Sequence, residues 1–172
     1  MTWPKTLRFR EVARGPQTLR LEPPAEARAQ IARSLGLEGL PELSAELAVR
    51  PWLDGAEISG RLKAVVEQVC GVSGEPFEQA LEGEIAVRVV PAGSAAAPAD
   101  SPGGEVALDL EAEDPPDVAE GEEIDLSAYV IEHLALEIDP FPRKPGAVFD
   151  YAPEDPEDSP FAALRRLKDR EG

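Results

Sequence analysis

Between Glu57 and Pro91 apolar and polar residues take turns along the chain. Ile58, Leu62, Ala64 and Val66 alternate with Ser59, Arg61 and Lys63; after a break, Leu81, Ile85, Val87 and Val89 alternate with Glu82, Glu84 and Arg88. A period of two sends successive side chains to opposite faces of a strand, so each run has a dry side and a wet side. Gly71, Gly74 and Pro76 lie between the runs and supply the positive and the fixed φ that reverse a chain. The pattern predicts a long antiparallel hairpin. Leu40 to Trp52 alternates in the same way, with Leu43, Ala45, Leu47 and Val49 inward and Ser44, Glu46 and Arg50 outward. Asp54-Gly55 then provides a hairpin signal, so the three runs predict an antiparallel meander over 43–90.

Elsewhere the spacing changes. Ala27, Ile31 and Leu35 recur every four residues after Pro24 and before Gly36, which predicts a helix with a proline in its first turn and a glycine stop. Leu126, Val130, Leu134 and Ile138 repeat that spacing, with Ile131 and Leu136 broadening the stripe. Asp125 or Ser127 can cap this second helix, and Pro140 and Pro142 end it. Near the start, Leu7, Phe9 and Val12, then Leu19 and Leu21, read as two short strands around a Gly15-Pro16 turn.

These readings predict an α+β fold with two to three helices on an antiparallel sheet, with closure into a barrel left open. The domain spans 1–142 and carries a flexible acidic insertion at about 92–123, where periodicity vanishes except for a short alternating VALDL at 106–110. A proline-rich acidic tail follows over 143–172. It ends in SPFAALRRLK, where Phe161, Leu164 and Leu167 share one side of a short amphipathic helix that docks either on its own domain or on a partner.

Charge sharpens the division. Residues 1–90 hold 11 Lys and Arg against 13 Asp and Glu, while residues 91–172 hold 6 against 21; the net charges of −2 and −15 give −17 for the chain. A surface this acidic repels phosphate backbones and attracts basic partners. The basic residues of the first part gather near its start, and Arg8, Arg10, Arg14 and Arg20 are the candidate contacts to RNA. A solvated sheet face is the plainer account of them.

Chemistry is sparse. A single cysteine, Cys70, excludes an internal disulfide, and a single histidine, His133, leaves no Cys/His zinc spacing. Cys70 reads as a small packing residue at a strand end, and His133 as a partly buried side chain beside the apolar stripe. Asp109, Glu111, Glu113 and Asp114 attract a divalent cation only weakly without EF-hand spacing. No nucleophile elbow, phosphate loop or dinucleotide fingerprint is present. No catalytic, cofactor-binding or metal residue is therefore assigned, and no enzyme activity is expected. With neither an apolar run of membrane length nor a hydrophobic signal core, a soluble cytoplasmic protein is expected.

Three pieces in order carry a resemblance: GRLKAVVEQVCGVSGEPFEQALEGEIAVRVVP, then IDLSAYVIEHLALEIDPFPRKPG, then SPFAALRRLK, which matches a closing PFAxLxxLK segment. Together they resemble the YceD family of large ribosomal RNA subunit accumulation proteins, in the style of its alphaproteobacterial members. The resemblance implies a bacterial protein connected with the synthesis, processing or stability of 23S ribosomal RNA. Many members carry a second cysteine three positions after the first, a CxxC able to bind metal; here Ser73 takes that place. The expected function is a non-enzymatic factor for large-subunit assembly that binds a basic ribosomal protein or precursor particle. The alternative is direct binding of 23S ribosomal RNA through the N-terminal arginines.

Overall fold

The structure is a computed structural model that describes Trp3 and residues 5–98 and 114–149. It is built on three long strands, β3 (Gly39–Trp52), β4 (Gly55–Val69) and β5 (Pro76–Pro91), paired antiparallel in sequence order. The alternation sorts as expected. Leu47, Val49, Ile58, Leu62 and Val66 are fully buried on one face, and Glu46, Arg61, Lys63, Glu82 and Glu84 are exposed on the other. Register follows from this sorting, because a one-residue slip would drive the whole apolar set into water.

The β3–β4 turn differs in detail from the expected Asp-Gly pair. Trp52 pairs with Gly55, so the two turn residues are Leu53 and Asp54, and Leu53 takes the left-handed φ of 50° that a glycine would hold without strain.

The dry face is covered by two helices. In α2 (Ala25–Leu35), Ala27, Ile31 and Ala32 are buried, and Gly36 closes the helix with a left-handed φ of 69°. Buried residues of α3 (Leu126–Glu137) include Leu126, Val130 and Leu134, all at 0% exposure, and this helix packs on β5 and β4. Leu136 does not broaden the stripe as expected, being 76% exposed. It lies two residues past Leu134, and helix positions two apart face different ways.

Asp125 caps α3, its Oδ1 accepting the Ala128 N–H at 3.1 Å and the Ser127 hydroxyl. The Ser127 Oγ in turn accepts the Lys5 N–H at 3.2 Å, and Leu126 donates to the Lys5 carbonyl at 2.9 Å. Asp125→Ala should therefore lower stability by about 1 kcal/mol. A fall in the urea midpoint at unchanged slope would register it.

Two short strands do form on either side of Gly15-Pro16, but they do not pair with each other. β1 (Thr6–Arg8) pairs antiparallel with β7 (Glu123–Asp125), and β2 (Gln17–Leu21) pairs with Ala45–Val49 of β3. Between them Phe9 to Val12 forms one helical turn, α1 (Phe9–Val12), with Val12 fully buried. Glu11 explains the turn, because its carboxylate reaches back to accept the Arg8 N–H at 3.0 Å.

The stretch read as an aperiodic excursion contributes β6 (Asp117–Ala119), which runs parallel to β5, and then β7. VALDL and the tail with Phe161, Leu164 and Leu167 lie outside the described residues.

The large sheet is therefore an open one of order β2-β3-β4-β5-β6 and does not close into a barrel. β2 covers only part of β3, whose Pro41 and Pro51 fall on either side of the covered stretch. The class is α+β, with three helices among the described residues and a mostly antiparallel sheet.

Candidate interaction surface

The wet face of the meander carries rows of charge set by the pairing. Arg20, Glu46, Arg61 and Glu84 lie opposite one another across four strands, and Ser44, Lys63 and Glu82 form the next row. Arg61 meets Glu84 at 3.4 Å and Lys63 meets Glu82 at 2.9 Å, the Lys63 ammonium holding the Glu82 carboxyl below its usual range. Such exposed pairs each contribute at most about 1 kcal/mol; their main effect is to offset charge within these two rows and to oppose slippage. At one end Arg88 lies 5.2 Å from the Trp52 ring centroid and 3.6 Å from Glu57.

The four candidate arginines are not alike. Arg8 donates through Nε to Glu123 at 2.8 Å, a contact that joins β1 to β7, and Arg20 pairs with Glu22 and Glu46. Arg10 is exposed on α1 and Arg14 exposed just after it. The structure thus engages two of the four with carboxylates of the same chain. His133 donates from Nδ1 to the Tyr129 carbonyl at 2.9 Å, a bond within its own helix. Tyr129 lies beside Asp117 of β6, and burial together with that carboxylate pushes its hydroxyl pKa up.

A second cluster forms where the β4–β5 turn meets the segment after α3. Cys70 is buried, and its Sγ accepts N–H groups from Val72 and Ser73, each at 3.4 Å, and from Lys144 at 3.3 Å. Gly71 donates to the Pro142 carbonyl at 2.9 Å, and the Lys144 ammonium meets Glu75 at 2.9 Å. Cys70 is a packing residue, as the sequence suggests, but it also fastens a segment more than seventy positions away. Its place at a strand end gave no sign of that. Among the described residues no group of three or more His, Cys, Asp and Glu is placed to hold a metal.

The Ser73 hydroxyl, then the Ser73 and Lys144 backbone N–H groups, pull the Cys70 thiol down to about 6. In the unfolded chain it titrates near about 8.5, so between these values the unfolded state binds the extra proton. This contribution to stability is fully present above about pH 8.5 and is lost as pH falls through 6. The stability gap between the parent and Cys70→Ser should accordingly widen as pH rises from 6 to 8.5. Denaturant midpoints measured across that range check it.

Near the same end, a cavity of about 280 Å³ opens between the C-terminal ends of α2 and α3. Gln68 lines it at 7% exposure, donating from Nε2 to the Asp139 carbonyl at 3.3 Å. Sequence reasoning passed over Gln68, although the period that places Leu62, Ala64 and Val66 inward places it there too.

Among the described residues no helix is long and apolar enough to cross a membrane. No curated protein and no solved structure matches the chain. A family model described as "Large ribosomal RNA subunit accumulation protein YceD" matches residues 58–168. That span begins in β4 and takes in β5, the Cys70 cluster, β6, β7 and α3, leaving β1 to β3 with α1 and α2 ahead of it. A match over more than half the chain makes this protein a member of the YceD family, named for accumulation of large-subunit ribosomal RNA.

Proposed function

We propose that the protein supports accumulation of 23S ribosomal RNA as a non-enzymatic binding factor, holding a basic ribosomal protein or a large-subunit precursor by means of its acidic second half. The observation that carries this reading is the placement of charge. Net −15 lies in residues 91–172, Arg61 and Lys63 on the wet face of the sheet are offset by Glu84 and Glu82, and Arg8 and Arg20 are engaged by carboxylates of their own chain. Complementary charge of this kind steers encounter with a basic partner and selects against phosphate backbones.

The test is capture of partners from lysate by the full chain, with and without nuclease. Retention of a basic large-subunit protein after nuclease supports the reading. Capture that vanishes with nuclease, together with binding to 23S fragments that weakens steeply with salt and is abolished by Arg10→Ala and Arg14→Ala, would replace it with direct RNA binding.

A further inference from the structure

We propose that the cavity between the ends of α2 and α3 is a socket for a lysine or arginine side chain of a protein partner. The proposal rests on the reading above, that the partner is basic, and gives that reading a location. The walls suit an aliphatic stem: Leu35, Leu37, Ile138 and Pro140 border the space, with a volume of about 280 Å³. The floor suits a donor. Gln68 is 7% exposed, and its Oε1 has no hydrogen-bond partner among the described residues, while its Nε2 is already committed to Asp139. A buried acceptor left unpaired is costly, and a ligand N–H that meets it recovers that cost.

The surrounding field selects the sign of the ligand. Leu35 and Gly36 close α2 and Ile138 follows α3, so the cavity sits at two helix C-termini, the partly negative ends of their dipoles. Glu38 and Asp139 add two acidic residues to the lining, the Asp139 carboxylate also accepting the Phe141 N–H at 2.8 Å, and among the described residues that form it there is no lysine or arginine. Apolar walls, a lone buried acceptor and a negative rim together describe a receptor for a long side chain with a cationic head.

The full-length protein, labelled with nitrogen-15, is titrated at physiological ionic strength with a decalysine peptide and with its fully acetylated counterpart. The Gln68 side-chain amide should shift with decalysine and stay in place with the acetylated peptide. Gln68→Met, which removes the acceptor, and Glu38→Arg, which reverses an exposed rim charge, should each weaken binding about tenfold.

Decalysine bound as tightly by both variants as by the parent, with Gln68 unmoved, overturns the socket while leaving an acidic binding surface in place. A parent protein that binds no decalysine overturns the basic-partner reading itself. A Gln68 amide that moves on deletion of residues 150–172, with no peptide present, assigns the cavity to a basic side chain of the chain's own tail, such as Arg165, Arg166 or Lys168, and overturns the partner assignment.

Discussion

Leu134→Ala is expected to lower the unfolding free energy by about 2–5 kcal/mol, a large share of the roughly 5–15 kcal/mol that holds a domain folded. Leu134 is fully buried and is the last of three residues, after Leu126 and Val130, by which α3 seats on the sheet. It belongs to the same core as Ile85 of β5 and Leu62 of β4. β4 is paired on both edges, by β3 and by β5, and cannot close over the space that a lost isobutyl group leaves. The cost therefore combines lost burial with a standing cavity. Leu136→Ala two positions on is the control, because its side chain is 76% exposed and its removal should change stability by no more than about 0.5 kcal/mol. Equal losses in the two variants under chemical denaturation would mean that α3 does not pack as described.

Gly60→Ala should lower stability by about 1–3 kcal/mol or more. Gly60 pairs with Leu47 on one side and Ile85 on the other. A Cβ there would overlap the Glu46 carbonyl oxygen, which belongs to the β3 backbone, and would come within 2.9 Å of the Leu47 side chain. Backbone in a ladder paired on both edges has little room to yield. Gly83→Ala makes the informative comparison: its Cβ would meet the Glu137 side chain at 2.8 Å, and that flexible chain can swing aside at smaller cost. Thermal melts of the two variants rank them, and a Gly60 variant as stable as the parent would contradict the close approach of β3 and β4.

The parts of this fold legible in the sequence are those whose partners are near in the chain. The β3–β4–β5 meander and helices α2 and α3 each advertise a period, and the buried faces observed are those the periods name. What escaped was pairing at long range. β1 has only three residues and finds its partner in β7 more than a hundred positions later, so no local pattern could distinguish that arrangement from a hairpin around Gly15. β6 is Asp117-Val118-Ala119 within an acidic, proline-bearing stretch, and its strand character comes from the free edge of β5.

The interaction surface was legible to a similar degree. Arg8 and Arg20 could be picked out as basic positions, but their carboxylate partners Glu123 and Glu46 follow from the tertiary pairing. Cys70 could be placed at a strand end, whereas its hydrogen bond from Lys144 depends on how the chain leaves α3. Gln68 carried a usable signal, a polar residue at an inward position of a strand, and such exceptions to alternation mark places where a sheet does more than pack.

The prolines beside the β2–β3 pairing bear on how the molecule behaves in a crowd. Pro41 and Pro51 deprive the uncovered ends of β3 of amide hydrogens, and β2 itself offers five residues hemmed by Pro16 and Pro23. A foreign strand sliding up to that rim finds too short a template to continue the sheet, which guards against fibre-like stacking at high concentration. Whatever this protein recruits must accordingly approach it elsewhere than along the β2–β3 rim.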